Sequence, residues 1–211
     1  MAVPILLATG NPAKQDALRG LLDGLPVSPV TPRELGLNLD PDEDGDTHHA
    51  IARMKAREWS LASSTLVIAS DGGVVIPALG HDWESRFTHR FAGPAANDAE
   101  RARRLLELMK SYQGSDREAS WAEALAIAAR GMVLASWELQ GATSVISEDF
   151  DDDVEVGGFW VFSVWRFPQF ENRTYKQLSP EELASLDDHW VQLRHLAQDF
   201  FDDYLTITLS M

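Results

Sequence analysis

A segment near the start of the chain combines a glycine, an amide side chain and a lysine at a spacing suited to binding phosphate. A short apolar run is followed directly by Thr9-Gly10-Asn11-Pro12-Ala13-Lys14. Asn11 is a good helix N-cap, and Pro12 suits the first helical position, where its missing N–H has no cost. Gly10 lets the backbone approach a ligand above the turn. Free amides, the positive end of the helix dipole and Lys14 would then converge on one anion.

This segment differs from two well-known phosphate-binding motifs. It lacks the Gly-x-x-x-x-Gly-Lys spacing of the P-loop, and its single glycine does not make a dinucleotide fingerprint. Many α/β proteins begin with a strand, a glycine turn and a capped helix for structural reasons alone. The segment by itself therefore leaves open whether a ligand binds there.

The composition of the 211-residue chain narrows the classes of function. The absence of cysteine excludes disulfides, thiolate metal sites and a cysteine nucleophile. No apolar run approaches the roughly 18 residues of a membrane span, and no basic-then-apolar leader is present, which favours a cytoplasmic protein. The net charge of −15 disfavours binding to nucleic acid, although a local basic pocket can still bind a nucleotide.

Acidic residues are concentrated in two parts of the chain. The first cluster comprises Asp40, Asp42, Glu43, Asp44 and Asp46. The second comprises Glu148, Asp149, Asp151, Asp152, Asp153 and Glu155. Because the second cluster lacks the glycine and the ligand spacing of a calcium loop, it is interpreted as a solvated loop.

Hydrophobic periodicity predicts an α/β protein. In the first half, helices are predicted over residues 11–22, 47–62 (capped by Asp46 or Thr47) and 94–110, with strands near Val27 and over 65–69. The second strand is predicted to end at a turn, Ser70-Asp71-Gly72-Gly73, before residues 74–76 resume an extended course. The second half predicts a hairpin of 120–129 and 132–139, a strand over 159–167 and a final helix over 180–200.

Several separated motifs occur together and in a fixed order. They are Thr9-Gly10-Asn11-Pro12-Ala13-Lys14, Glu43-Asp44-Gly45, Lys55-Ala56, Ser70-Asp71-Gly72-Gly73, Ala78-Leu79-Gly80, Arg90-Phe91-Ala92-Gly93, the Trp137 hairpin, Gly157-Gly158-Phe159 and His189. In this order and at this spacing the chain resembles the inosine triphosphate pyrophosphatase (Ham1-like) family over essentially its whole length. No single motif is decisive, and the specificity lies in the ordered set.

The resemblance implies a fold and a reaction. It implies one domain over residues 1–211, with a long mixed sheet bent into two lobes (about 1–111 and 112–211), flanking helices and a cleft between the lobes. It also implies a homodimer that hydrolyses non-canonical purine nucleoside triphosphates to the monophosphate and pyrophosphate. Such a reaction needs Mg²⁺ and positioned cations, because negative charge develops on the pyrophosphate leaving group.

The same resemblance assigns roles to particular residues. Asp71 matches the catalytic carboxylate that orients water, and it is expected at the carboxyl end of a buried strand, where open α/β sheets bind ligands. The implied metal ligands are Glu43, Asp71 and, less directly, Asp16. The implied phosphate- and substrate-binding residues are Thr9, Gly10, Asn11, Lys14, Lys55, Gly72 and His189.

The chain departs from the family pattern at several of these motifs. An expected glutamate is Ala17, an expected Glu-Asn pair is Ala50-Ile51, the first of two paired acidic residues is Ser70, and an expected lysine is Ala184. In the Ser-His-Arg motif only His189 is retained. The segment that cradles the base is replaced by residues 159–163, in which Trp160 could stack on a purine.

These replacements leave three functions open. The first is the family's Mg²⁺-dependent pyrophosphatase activity, and the second is a homologue without turnover that binds a nucleotide or another anion. The third is an altered substrate, read by the rebuilt residues 160–163. His48 and His49 are interpreted as non-ligands, since neighbouring residues on a helix point about 100° apart. His189 has an alternative interpretation as a packed, buried histidine.

Overall fold

The fold was analysed in a computed structural model, which describes residues 2–150 and 158–209. Residues 151–157 of the predicted acidic loop therefore lie outside the described residues. The strands are β1 Val3–Leu7, β2 Val27–Val30, β3 Leu66–Val75, β4 Glu118–Ala129, β5 Met132–Ile146, β6 Trp165–Phe167 and β7 Arg173–Thr174. The α-helices are α1 Pro12–Leu21, α2 His48–Ser63, α3 Asp98–Leu108, α4 Pro180–Ala184 and α5 His189–Leu209.

The strands form one mixed sheet in the order β2-β1-β3-β4-β5-β6-β7. β1 runs parallel to β2 and to β3, whereas β6 is antiparallel to both β5 and β7. Leu7 lies opposite Ile68, and the Ala8 amide donates to the Ile68 carbonyl at 2.9 Å. The residues that follow Leu7 in β1 and those that follow Ile68 in β3 are thus brought together at one end of the parallel pair.

The chain divides into two units, each made of segments that are separated in sequence. The first unit contains the described residues of Met1–Asp71, Glu123–Leu139 and His189–Met211. Its core includes Ile5, Leu7, Leu18, Ile68, Leu125, Ile127, Leu193 and Phe201, with a second group around Ala52, Ala56, Val67 and Ala126. The apolar periodicity of α1 and α5 explains why both helices pack on this core.

The second unit contains Gly72–Ala122 and the described residues of Gln140–Asp188. Its core is strongly aromatic and includes Trp83, Trp121, Trp160, Phe162, Trp165, Phe167 and Tyr175. The rings of Phe162 and Tyr175 lie 4.2 Å apart, and those of Trp165 and Tyr175 stack at 5.5 Å. Packing among these rings accounts for most of the tryptophans in the sequence.

The hydrophobic pattern predicted the α/β class and most elements correctly, and the mixed sheet implied by the resemblance is confirmed. Asn11 and Thr47 cap α1 and α2 as expected, with Asn11 Oδ1 accepting from Ala13 N and Lys14 N. The β4–β5 hairpin turns at Arg130-Gly131. The predicted two-lobe division and the single-domain boundaries remain predictions.

Four predicted elements were wrong in extent. β3 does not end at Asp71 but continues to Val75, and residues 160–163 form a 3-10 helix, so that only Trp165–Phe167 of the predicted strand is extended. α3 begins at Asp98, where Asn97 and Glu100 form a capping box. The final helix is two helices, because α4 ends before a residue with positive φ at Asp187.

Among the described residues, no helix is both long and apolar enough to cross a membrane.

Candidate functional site

The turn after β1 is held in shape by its own side chains. The Asn11 amide N–H donates to Thr9 Oγ1 at 3.1 Å, and Asn11 Oδ1 accepts from Ala13 N at 2.9 Å. Gln15 Nε2 donates to the Thr9 carbonyl at 2.8 Å. These contacts fix the turn at the positive end of α1, where an anion is favoured by the helix dipole.

The space above this turn is open. A Cβ atom built on Gly10 meets no atom within 4 Å apart from its chain neighbours, so the described residues leave open space beside this glycine. Lys14, in the first turn of α1, is close enough for its charge to lower the pKa of Asp71. The structure thereby places Lys14 of the predicted phosphate-binding turn close to the predicted catalytic carboxylate.

Asp71 lies at the centre of a buried hydrogen-bonded cluster. Its Oδ1 accepts from Lys55 Nζ at 2.8 Å, and its Oδ2 lies 2.6 Å from His48 Nδ1. Lys55 Nζ also contacts Glu43 Oε1 at 2.5 Å. We call Glu43, His48, Lys55 and Asp71 the Asp71 cluster; all four residues belong to the first unit.

Helix α2 brings two members of the cluster to Asp71. His48 and Lys55 are separated by about two turns at 3.6 residues per turn, so both side chains project from the same face of α2. Thr47 Oγ1 caps this helix by accepting from Ala50 N at 3.0 Å. A Cβ atom on Gly45 would lie only 3.0 Å from Ala50 and Ile51, so glycine allows the Glu43 segment to pack against the start of α2.

The cluster keeps opposite charges on its carboxylates and its lysine. Burial would raise the pKa of Asp71, but the hydrogen bond from His48 and the positive charges of Lys14 and Lys55 lower that pKa to about 2. Burial would lower the pKa of Lys55, yet its contacts with Asp71 and Glu43 raise that pKa overall. At neutral pH Asp71 is an anion and Lys55 a cation.

The predicted metal ligands come together only in part. Glu43 and Asp71 converge on one cationic group, the ammonium of Lys55, while Asp16 is exposed on α1 and forms no ion pair within the described residues. No group of three or more His, Asp and Glu side chains in this part of the chain is placed to hold a metal. Two converging carboxylates fit Mg²⁺ in its common mode, in which substrate phosphates and waters supply the remaining ligands.

Gly73, the second glycine after Asp71, has a packing role in β3. A Cβ atom on Gly73 would lie 2.0 Å from the Ser85 carbonyl oxygen and 2.6 Å from Thr88 Oγ1. Close approach of backbone segments therefore explains the glycine that sequence reasoning interpreted as part of a turn. For this reason Asp71 lies inside a strand rather than at its end. Gly72 is the next residue of that strand, and its predicted role toward phosphate stays a prediction.

His189 lies in the interior of the first unit. It is fully buried in the first turn of α5, and its ring centroid is 5.5 Å from that of Trp190. Burial lowers the pKa of His189 to about 3, so the ring is neutral. This placement agrees with the alternative interpretation of a packed histidine, and contact with a substrate stays a prediction.

Trp160 is also a core residue, which contradicts the suggestion that it could stack on a purine. Its side chain is only 2% exposed, its ring stacks on Phe91 at 5.5 Å, and its Nε1 donates to the Thr88 carbonyl at 3.2 Å. The neighbouring residues 161–163 are buried as well. The rebuilt segment thus serves the aromatic core of the second unit.

His48 is the member of the cluster that sequence reasoning missed. The two neighbouring histidines point in different directions, as helix geometry predicts. His48 contacts Asp71, whereas His49 Nε2 contacts Ser136 Oγ at 2.9 Å. The useful signal was the seven-residue spacing between His48 and Lys55, because it puts the histidine on the same face of the helix as a predicted site lysine.

Comparison with known proteins assigns this chain to a family. The model of the Ham1 family matches residues 5–196, and the chain belongs to that family. The dITP/XTP pyrophosphatase of Leptospira interrogans is 30% identical over 183 residues, covering 86% of this chain and 89% of the relative. The dITP/XTP pyrophosphatase of Halorhodospira halophila is 37% identical over 54% of this chain and 56% of its own.

Solved structures agree with the family assignment. A HAM1 protein from Coxiella burnetii superposes with a TM-score of 0.76 at 27% identity, covering 95% of this chain and 99% of the other. The Ham1 protein of Staphylococcus aureus shares the fold, with a TM-score of 0.73 at 21% identity over the same shares. The resemblance inferred from the ordered motifs is therefore confirmed, and members of this family are generally metal-dependent.

Proposed function

We propose that this protein is a pyrophosphatase that converts non-canonical purine nucleoside triphosphates, such as dITP and XTP, to the monophosphate and pyrophosphate. The observation that carries the proposal is the Asp71 cluster, in which an ionised carboxylate is fixed next to Lys55 and close to the Thr9–Lys14 turn. The names of two relatives, both dITP/XTP pyrophosphatases, supply the substrate class.

Each part of the site has a role in this reaction. The turn at Thr9, Gly10 and Asn11, together with Lys14, binds the triphosphate through backbone amides and one positive charge. Asp71 orients the attacking water and accepts a hydrogen bond from it, since its oxygens can accept further bonds beyond those of Lys55 and His48. Lys55 balances negative charge that develops on the pyrophosphate.

We propose Mg²⁺ as the metal, held by Glu43 and Asp71 together with phosphate oxygens of the nucleotide. The ion would polarise the phosphates and neutralise charge on the leaving group. Lys55, which bridges the two carboxylates in this structure, would then be available to contact a phosphate. Asp16 is retained only as an outer contributor, because it is exposed on α1.

The protein is further proposed to act as a homodimer in the cytoplasm, on a small-molecule nucleotide rather than on nucleic acid or at a membrane. Family resemblance supports the dimer. The net charge of −15 disfavours nucleic acid, which needs a basic surface, and is compatible with a nucleotide, which needs only a local basic pocket.

A second function, nucleotide binding without turnover, is favoured by the replacements at Ala17, Ser70 and Ala184. Catalytic residues act as a unit, so several losses in one site can abolish turnover while binding survives. The two functions are separated by one experiment with Mg²⁺ and ITP, dITP, XTP, ATP or GTP, in which pyrophosphate release and thermal shift are measured in parallel.

Release of pyrophosphate from ITP, dITP or XTP in preference to ATP and GTP supports the pyrophosphatase. A thermal shift without release indicates the binding protein. The absence of both responses for every nucleotide would rule out both functions.

A further inference from the structure

We propose that His48 is a positioning residue, which fixes the Asp71 carboxylate by donating a hydrogen bond from Nδ1 to Oδ2. The inference rests on the proposed function and deepens it by giving His48 a role at the proposed catalytic carboxylate. The contact is short, at 2.6 Å, and both side chains are largely buried, with 4% and 11% exposure for His48 and Asp71.

The two oxygens of Asp71 are held by different donors from one helix. Lys55 Nζ lies on Oδ1 at 2.8 Å and His48 Nδ1 on Oδ2 at 2.6 Å, so the plane of the carboxylate is fixed at both ends. Lys55 alone would leave the group free to rotate, because a flexible ammonium makes a single point contact. A carboxylate with a fixed plane presents its remaining lone pairs to water in one direction.

The first turn of α2 is itself anchored, which holds the His48 ring in place. On the side away from Asp71, the His49 amide donates to Glu138 Oε2 at 2.8 Å, and His49 Nε2 contacts Ser136 Oγ at 2.9 Å. Arg53 Nη1 donates to the same Ser136 oxygen at 2.8 Å. These contacts tie α2 to β5, and the neighbouring histidines thereby have separate roles: His49 fixes the helix and His48 fixes the carboxylate.

The hydrogen bond determines the tautomer of His48. Asp71 is ionised and can only accept, so the proton of the shared bond is carried by Nδ1 of the histidine. This gives a spectroscopic prediction that is independent of turnover. Nitrogen NMR of the ¹⁵N-histidine-labelled protein should show a protonated Nδ1 for His48, assigned by its loss in His48→Asn, and Asp71→Asn should shift that signal.

The kinetic test compares two replacements of the same residue. His48→Phe keeps an aromatic ring but removes the donor, and kcat for dITP should fall by about 10- to 100-fold, the usual cost of losing a residue that orients a functional group. KM should change by less than about threefold, because the phosphate-binding residues are intact. His48→Asn, whose amide can donate at the position of Nδ1, should retain at least about half of the wild-type kcat, well above the residual kcat of His48→Phe.

The outcomes separate this proposal from the proposed function. A wild-type protein that releases no pyrophosphate rules out the function, while the NMR experiment still decides whether His48 donates to Asp71. A His48 signal without a proton on Nδ1, or one that does not respond to Asp71→Asn, overturns the positioning role. Equal losses of kcat in His48→Phe and His48→Asn, matched by equal falls in Tm, assign His48 a purely structural role and also overturn it.

Discussion

The charges of the Asp71 cluster are stable in a buried site because each has a partner of opposite sign. Lys55 is the common partner of two carboxylates, at 2.5 Å from Glu43 and 2.8 Å from Asp71. An unpaired charge at such a position is costly, so removal of the lysine should destabilise the fold as well as the site.

Replacement of Lys55 by methionine tests this dependence. Lys55→Met keeps a side chain of similar length but leaves two carboxylates without their shared cation. The free energy of unfolding should fall by roughly 3 kcal/mol, as when one partner of a buried pair is lost. Urea denaturation followed by circular dichroism measures this free energy. Lys110→Met is the matched control, since Lys110 pairs with Glu107 at an exposed site and should contribute little. Equal losses in the two variants would contradict the role of Lys55.

His189 gives a pH dependence of stability whose sign follows from burial. Its pKa in the folded protein is about 3, whereas in the unfolded chain it is near 6.5, so only the unfolded chain takes up the proton between these values. The free energy of unfolding should therefore fall below about pH 6.5, by about 1.4 kcal/mol per pH unit from this residue, until about pH 3. Urea titrations at several pH values of wild type and His189→Phe measure the difference.

The variant should lose this part of the slope, because phenylalanine does not titrate. His195→Phe is the control: His195 is an exposed histidine of the same helix, and its replacement should keep the wild-type slope. If the free energy of unfolding depended on pH in the same way in wild type and in His189→Phe, the prediction that burial keeps His189 neutral would be contradicted.

At the residue scale, sequence alone proposed the Thr9–Lys14 turn, Asp71 and Lys55 as candidates, because these carry local signals or ordered motifs. It could not identify His48. The partner of His48 is on another element, and the contact depends on the packing of α2 against β3. The burial of Trp160 could not be predicted either, because an aromatic residue looks the same in a sequence whether it belongs to a core or to a base-binding site.

Among the elements, β3 has the strongest influence on the site. The strand continues through Gly72 and Gly73, and it can do so because the Ser85 carbonyl packs where a side chain would otherwise be. An Asp-Gly-Gly sequence favours a turn on local propensity, and tertiary packing overrides that preference here. The N-caps of α1 and α2 were predicted more accurately, because the capping side chain bonds to amides only a few residues away.

A pair of glycine replacements tests the packing role. Gly73→Ala should destabilise the protein by more than about 2 kcal/mol, because its Cβ would overlap backbone atoms that cannot move as a flexible side chain can. Gly20→Ala is the matched control in the last turn of α1, where a Cβ meets nothing within 4 Å, and should be neutral or stabilise by up to about 1 kcal/mol. Thermal and urea unfolding measure both changes, and a neutral Gly73→Ala would show that the strand tolerates a side chain.

On the scale of the whole molecule, a strongly acidic chain brings two lysines to one buried carboxylate. Acidic residues number 33 against 18 lysines and arginines, yet Lys14 and Lys55 are both close enough to the proposed catalytic residue Asp71 to lower its pKa. The ordered motifs were sufficient to predict the family and the sheet, because they sample the whole length of the chain. The two units could not be delimited from sequence, since each joins segments that are far apart.

The most direct measurement of the central claim is kcat/KM for dITP and XTP, with Mg²⁺, in wild type, Asp71→Asn and Asp202→Asn. Asp202 is an exposed aspartate of α5, so its variant controls for loss of a negative charge. Wild type and Asp202→Asn should release pyrophosphate equally, and Asp71→Asn should be slower by at least about 100-fold, since the variant lacks the carboxylate that is proposed to position the attacking water. Unchanged turnover in Asp71→Asn would place the chemistry elsewhere and contradict this account.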